Sequence, residues 1–233
     1  SAGRRDAGDG LVTFWRQVYE VARKDLLVES RTAEVALMTA PFGAAALILI
    51  PLAIGTDAPL LSQLGPGLYW IVVLLFGMLV ILRKSAVDGQ AQRDLVRLLG
   101  IEPAAAFAGA TAATSALVLF FEVALGPILI ALYNPELRGW PWLFVILPLV
   151  AIGMGLLGTI ASGVTTSIGT RTSLTPLLIV PLSLPLLMGA TQALEGLRLG
   201  RGIVPWLILL FAVDLALAVS GVLAARPLEE AVT

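Results

Sequence analysis

The sequence contains no cysteine and no histidine, and only 13% of its 233 residues are charged. These absences exclude disulfides, thiolate chemistry and the usual zinc sites. Lys24 and Lys84 are the only lysines, and each follows an arginine rather than a glycine, so the chain has no Walker A phosphate loop. Any energy from a nucleotide must therefore come from another chain. Because the carboxylates form no tight cluster, a membrane hydrolase or redox enzyme also lacks its usual groups.

Apolar residues are abundant instead, at 58% of the chain. An ordinary globular domain has about a quarter charged residues, so this composition predicts an all-α integral membrane protein. The formal net charge of −1 provides no basic field that would attract nucleic acid. A spanning helix needs about 20 apolar residues. This window predicts a six-helix membrane domain over 36–224, with spans at about 36–54, 66–82, 104–132, 140–161, 174–194 and 203–224.

The basic residues predict the orientation of these spans. Twelve of the 15 Lys and Arg residues lie on one side, in the lead 1–35, the second loop 83–103, the fourth loop and the tail 225–233. Basic loops stay in the cytoplasm, so both termini are predicted to be cytoplasmic. Aromatic residues at the outer ends of the predicted spans agree, since such rings prefer the interface. These are Tyr69, Trp70, Tyr133, Trp140, Trp142 and Trp206.

The lead 1–35 has the pattern of an amphipathic helix. Its apolar residues recur at steps of three and four, while charged residues occupy the other face. The apolar positions are Leu11, Trp15, Val18, Ala22 and Leu26. This pattern predicts an interfacial helix on the inner leaflet, in contact with membrane lipid. It serves either as a simple anchor or as an elbow helix that frames a transporter subunit.

The second loop contains a shorter amphipathic segment, "DGQAQRDLVRLLGIEP". Leu95, Leu98 and Leu99 form its apolar stripe, and Gly100 followed by Pro103 ends the predicted helix. Such a face is buried either against the bundle or leaflet, or in the groove of a partner.

Polar chemistry inside the predicted spans is sparse. Glu122 and Asp214 are the acidic residues placed deep inside predicted spans. Acids within the membrane are energetically costly, so each is a candidate functional residue. One interpretation is that the two acids form a relay for protons or cations. The other is that both are neutral groups that serve packing. The segment "GMGLLG", Gly153–Gly158, matches a dinucleotide-binding pattern but follows no strand, so close helix packing is the better interpretation.

The fifth predicted span carries three prolines, Pro176, Pro181 and Pro185, in an apolar run that continues to Gly189. A proline removes a helical hydrogen bond, and in lipid the freed carbonyl must find another donor. The pattern therefore predicts a kinked helix packed within protein, with Thr175, Ser183 and Thr191 as available donors. The kink is either static or a hinge.

The order of these elements resembles the CcmB family, the permease-type membrane subunit of the heme exporter used in cytochrome c maturation. "ARKDLLVESR" is similar to the charged N-terminal helix of that family, and "PLLIVPLSLPLLMGATQAL" to its proline-rich fifth span. The second loop is similar in its acidic residue before glycine, its leucines and its proline. By this resemblance the residues that dock an ATPase are Asp88, Gly89, Arg93, Leu95, Leu98 and Leu99.

The resemblance implies a multi-pass subunit of an ATP-binding cassette transporter in the cell inner membrane. It implies a homodimer with a CcmA-type ATPase, CcmC-type and small CcmD-type membrane subunits and a CcmE-type heme chaperone. The chain itself is then no enzyme and binds no cofactor stably, because ATP and heme are held by partners. Its possible axial heme ligands are weak ones, limited to Met38, Met78, Met154, Met188 and tyrosines such as Tyr69 and Tyr133.

Two other functions fit the same composition. One is the permease of a drug, lipid or polysaccharide exporter of the ATP-binding cassette class. The other is an ion-coupled carrier that uses Glu122 and Asp214.

Overall fold

The computed structural model describes residues 3–32, 38–55, 57–87, 100–135, 139–167 and 174–225, and this part of the chain is helical with short connections and no strand. The helices are α1 (Gly3–Thr32), α2 (Ala40–Ile54), α3 (Ala58–Val87), α4 (Pro103–Tyr133), α5 (Leu143–Ser167), α6 (Leu174–Leu199) and α7 (Val204–Ala225). A 3-10 turn, Trp140–Trp142, leads into α5. The predicted all-α class is confirmed.

Five of these helices are long and apolar enough to cross a membrane, namely α3 to α7. The helix α2 is apolar but has only 15 residues, which corresponds to about 22 Å at 1.5 Å per residue. That length is short of the about 30 Å of bilayer hydrocarbon. The described residues thus contain five full-length spans, and a sixth crossing by α2 stays a prediction.

The second span begins earlier than the sequence predicts. Its expected start was residue 66, whereas α3 begins at Ala58 and contains Pro66 in its interior. Its 30 residues correspond to about 45 Å of helix, so α3 must tilt or extend beyond the hydrocarbon. Pro66 lies inside the helix and is buried.

The helix α5 occupies the centre of the bundle, in contact with α3, α4, α6 and α7. Its glycines permit this arrangement. A Cβ atom added at Gly153 would meet Leu186 of α6, one at Gly155 would meet Ser115 of α4, and one at Gly158 would meet Ile81 of α3. The prediction that "GMGLLG" serves close helix packing is confirmed.

The helix α1 packs along α4. Val18 and Val21 are buried, and a Cβ added at Gly109 of α4 would lie 2.6 Å from the Cβ of Val21. The Gln17 side chain accepts a 3.1 Å hydrogen bond from the backbone N–H of Glu102. Trp15, predicted on the same apolar stripe, is instead 64% exposed. The packed face is therefore rotated away from Trp15, which leaves an aromatic side chain free to contact lipid.

Candidate functional site

The proline-rich helix α6 is continuous from Leu174 to Leu199 and contains Pro181 and Pro185 in its interior. Pro176 is its third residue, where a proline costs no hydrogen bond. Pro181 and Pro185 both point away from the bundle, whereas Gly189 is buried against Leu210 of α7. The structure thus places the two interior prolines on the outer face of α6. The predicted kink and hinge stay predictions.

A proline leaves the carbonyl four residues earlier without its α-helical donor. In α6 these carbonyls belong to Leu177 and Pro181. Of the predicted donors, Ser183 is buried and donates a 2.8 Å hydrogen bond to the carbonyl of Val180, which is next to Pro181. In the described residues no side chain donates to the carbonyls of Leu177 or Pro181 themselves. The Ser183 bond therefore goes to a carbonyl that no proline frees, because the helical donor of Val180 is the N–H of Leu184.

A different proline is compensated by another helix. Pro51 in α2 frees the carbonyl of Leu47, and the hydroxyl of Tyr133 in α4 donates a 2.8 Å hydrogen bond to that oxygen. The hydroxyl of Tyr69 makes a similar 2.8 Å bond to the carbonyl of Glu122, in the turn of α4 that precedes Pro127. Sequence reasoning missed both bonds. The prolines were a visible signal, but the tyrosines lie 86 and 53 positions away from their acceptors.

These bonds also correct the assignment of the aromatic residues. Tyr69, Trp70 and Tyr133 are buried in the core, so their side chains do not form an interfacial belt. The reason is that α3 starts at Ala58, which moves Tyr69 and Trp70 away from the outer end of the span. Trp140 and Trp142 are exposed, as the belt requires.

The two deep acids are buried. Glu122 in α4 is 0% exposed and Asp214 in α7 is 6% exposed, and among the described residues none of their four carboxylate oxygens has a hydrogen-bond partner. Asp214 faces α5, where a Cβ added at Gly153 would lie 2.6 Å from its Oδ1 atom. Among the described residues no group of three or more acidic side chains could hold a metal ion. The structure therefore shows two buried acids, on α4 and α7, and no metal-type cluster of acidic side chains in the described part of the chain.

The side chains considered as axial heme ligands differ in access. Tyr69 and Tyr133 are buried and use their hydroxyls on backbone carbonyls, so these two oxygens serve the packing of the bundle. Met154 is buried in the core. Met188 and Met38 are exposed, and the Met38 sulfur accepts a 3.4 Å hydrogen bond from Arg83. Met78 is partly buried against the core, so Met188 and Met38 are the two exposed side chains among these six candidates.

The predicted ATPase-docking residues lie outside the described part of the chain. They are Asp88, Gly89, Arg93, Leu95, Leu98 and Leu99. Their role stays a prediction from the sequence. The structure does place the two ends of this loop, since α3 ends at Val87 and α4 begins at Pro103, beside Gln17 of α1.

Comparison with known proteins gives a consistent result over nearly the whole chain. Residues 16–229 match the family model described as CcmB protein. The chain is 33% identical over 207 residues to heme exporter protein B of Pseudomonas aeruginosa, which covers 84% of this chain and 90% of that protein. It is 30% identical over 184 residues to heme exporter protein B of Haemophilus influenzae, with 76% and 80% covered. The chain is therefore a multi-pass membrane protein that belongs to the CcmB family.

Proposed function

We propose that this chain is the permease-type membrane subunit of an ATP-binding cassette complex that serves cytochrome c maturation. In this complex ATP hydrolysis by a partner subunit drives either the export of heme or the release of a heme-loaded chaperone. The observation that supports the proposal most is the family match over residues 16–229. Two relatives, whose alignments with this chain cover 80% and 90% of their own length, are named heme exporter protein B.

The absence of a Walker A sequence supports a division of labour between chains. Lys24 and Lys84 do not follow glycine, so ATP is hydrolysed by a separate CcmA-type ATPase. The amphipathic loop segment with Leu95, Leu98 and Leu99 docks into that ATPase.

The chain works as a homodimer in the cell inner membrane, with both termini in the cytoplasm. The excess of basic residues on the predicted cytoplasmic side supports this orientation. CcmC-type and CcmD-type subunits hold the heme and transfer it to a CcmE-type chaperone. The burial of Tyr69 and Tyr133 agrees with this assignment, because neither hydroxyl is free to ligate iron.

The test is a deletion of the gene in its own host, followed by complementation. We expect the deletion strain to lose covalent heme in c-type cytochromes while b-type cytochromes, which bind heme without covalent attachment, are retained. Wild-type chain restores the c-type cytochromes, and a Leu95, Leu98, Leu99 to Ser variant does not. Normal c-type cytochromes in the deletion strain would contradict the proposal and favour a drug, lipid or polysaccharide exporter.

One observation favours a second candidate, an ion-coupled carrier. Glu122 and Asp214 are buried in spans and have no hydrogen-bond partner within the part of the chain that the structure describes, and buried intramembrane acids are what transport proteins use for proton and cation binding. The carrier would transport its substrate without an ATPase. It would lose activity when both acids are replaced by their amides, whereas the ATP-driven complex would not.

A further inference from the structure

The exposed surface of α1 contains an aromatic strip beside its packed side. Val18 and Val21 are buried and mark the side of α1 that packs on α4. Successive residues of an α-helix are about 100° apart around its axis. On this geometry Val12, Trp15 and Tyr19 lie together on one flank of the packed side, and each is more than 60% exposed. We call these three residues the aromatic strip.

The other flank of α1 is polar. Glu20 and Lys24 are exposed and lie one turn apart on this flank, which we call the polar strip. Gln17 lies on the same flank and accepts its hydrogen bond from the backbone N–H of Glu102, the residue that precedes α4. The polar strip is therefore on the side of α1 from which the second loop enters α4.

Two arginines project between the strips. Arg16 and Arg23 are exposed and seven residues apart, so both point away from α4, about 10 Å from each other along the helix axis. Within the described ranges neither forms an ion pair, whereas the Nζ atom of Lys24 lies 3.1 Å from the carboxylate of Asp25. The helix thus presents two guanidinium groups on one line, and no acidic side chain among the described residues neutralises them.

The contact with α4 places α1 at the level of the bilayer interface. A Cβ atom added at Gly109 would lie 2.6 Å from the Cβ of Val21. Gly109 is the seventh residue of α4, so this contact is about 9 Å from the end of a membrane span. Tryptophan and tyrosine side chains prefer this level of a membrane. The aromatic strip therefore faces the lipid, and the polar strip faces water.

This orientation places Arg16 and Arg23 at the boundary between acyl chains and water, where lipid phosphates lie. A guanidinium group binds a phosphate through two parallel N–H···O bonds and is weakly hydrated. Its aliphatic stem can cover apolar surface while the charged end reaches the headgroup. Anionic lipids attract basic side chains near the membrane surface, so the two arginines complement a negatively charged headgroup.

We infer that α1 binds the phosphate of an anionic phospholipid through Arg16 and Arg23, with Trp15 and Tyr19 seated in the lipid beside it. The site is separate from the predicted ATPase-docking residues and does not depend on the substrate of the complex. A ligand that binds the folded protein stabilises it. The stability of the chain therefore depends on the content of anionic lipid in the membrane.

The test uses the full-length chain in nanodiscs of phosphatidylcholine alone, or of phosphatidylcholine mixed with phosphatidylglycerol. The thermal midpoint is measured in both bilayers for wild type, Arg16→Gln, Arg23→Gln and the double variant. Lys24→Gln is the matched control, because it removes one positive charge from the polar strip of the same helix. Glycerol phosphate is also added to the neutral nanodiscs, to separate a lipid headgroup from a soluble anion.

We expect phosphatidylglycerol to raise the midpoint of wild type, and Lys24→Gln to keep this increase. Each single arginine variant should lose part of the increase and the double variant most of it, whereas glycerol phosphate should have no effect. Equal wild-type midpoints in the two bilayers would overturn the inference. So would an equal loss in Lys24→Gln, which would indicate attraction without a site, or stabilisation by glycerol phosphate, which would indicate a soluble ligand.

A second measurement locates the aromatic strip. The chain has no cysteine, so Tyr19→Cys and Glu20→Cys each carry a single thiol for the same fluorescent label. We expect brominated acyl chains to quench the label at position 19, and iodide in the water to quench the label at position 20. Quenching of both labels by iodide alone would contradict the orientation of α1. If neither agent quenches the label at position 19 in the assembled complex, a protein partner covers the strip and the lipid site is wrong.

Discussion

The hydroxyl of Tyr133 lies 2.8 Å from the carbonyl oxygen of Leu47, the one acceptor in α2 that Pro51 deprives of its helical donor. The bond joins the end of α4 to the middle of the short helix α2. In an apolar bundle such a bond replaces the missing backbone contact. It therefore explains how a 15-residue helix with an interior proline is held against the bundle.

We expect Tyr133→Phe to lower the free energy of unfolding by about 1–3 kcal/mol, because it leaves the buried Leu47 carbonyl without a donor. In a Pro51→Ala background residue 51 regains its N–H, so the cost of the same change should be smaller. Unfolding midpoints in detergent, measured for wild type, both single variants and the double variant, give the cost of Tyr133→Phe in each background. Tyr19→Phe is the control, since Tyr19 is exposed. An equal penalty in both backgrounds would contradict the proposed compensation.

The central position of α5 predicts different effects for two of its glycines. A Cβ at Gly155 would lie 3.0 Å from the backbone nitrogen of Ser115, which cannot move aside, whereas Gly163 has open space. We expect Gly155→Ala to destabilise by about 1–3 kcal/mol through overpacking. Gly163→Ala should be neutral or stabilising, because alanine favours a helix. Thermal midpoints of the purified variants measure the difference, and similar values for both would refute this packing of α5 on α4.

The burial of Glu122 and Asp214 predicts that neither carboxylate charge is needed for folding or for c-type cytochrome formation. An ionised carboxylate without a partner is costly within a membrane. We therefore expect the double variant Glu122→Gln, Asp214→Asn to fold and to retain c-type cytochrome formation close to the wild-type level. Heme staining of c-type cytochromes in the complemented deletion strain gives the result. A variant that assembles normally but produces no c-type cytochrome would instead support the ion-coupled carrier.

Replacing the two interior prolines of α6 should affect activity but not the assembly of the complex. Pro181→Ala together with Pro185→Ala restores two helical hydrogen bonds and stiffens the span. If this span bends during the ATP cycle, the variant should assemble with its partners but form less c-type cytochrome than wild type. Pro205→Ala is the control, since Pro205 is in the first turn of α7. Unchanged activity in the double variant would reject a moving hinge in favour of a static kink.

The sequence predicts the helices well because hydropathy reports directly on burial in lipid. The predicted third span, 104–132, differs from α4 by one residue at each end. The start of α3 was missed because the apolar window began at about residue 66, whereas the helix continues back through the less apolar residues to Ala58 and contains Pro66, which neighbouring helices allow inside a span. Starting the span at residue 66 then placed Tyr69 and Trp70 at a membrane surface instead of in the core.

The candidate site was less predictable. The prolines of α6 and the two acids were identifiable from single residues in apolar segments. Which face of α6 carries the prolines, and that Tyr133 reaches Leu47, depend on how distant helices pack. No local pattern in a single sequence contains that information.

The most direct test of the account is affinity purification of the tagged chain from its native membrane, with identification of the bound subunits. Wild type is compared with the Leu95, Leu98, Leu99 to Ser variant and with a Gln90, Gln92 to Ser control from the same loop. We predict that wild type and the control recover an ATPase together with heme-handling subunits, and that the leucine variant selectively loses the ATPase. Recovery of the wild-type chain alone, under conditions that preserve other membrane complexes, would contradict an ATP-driven complex.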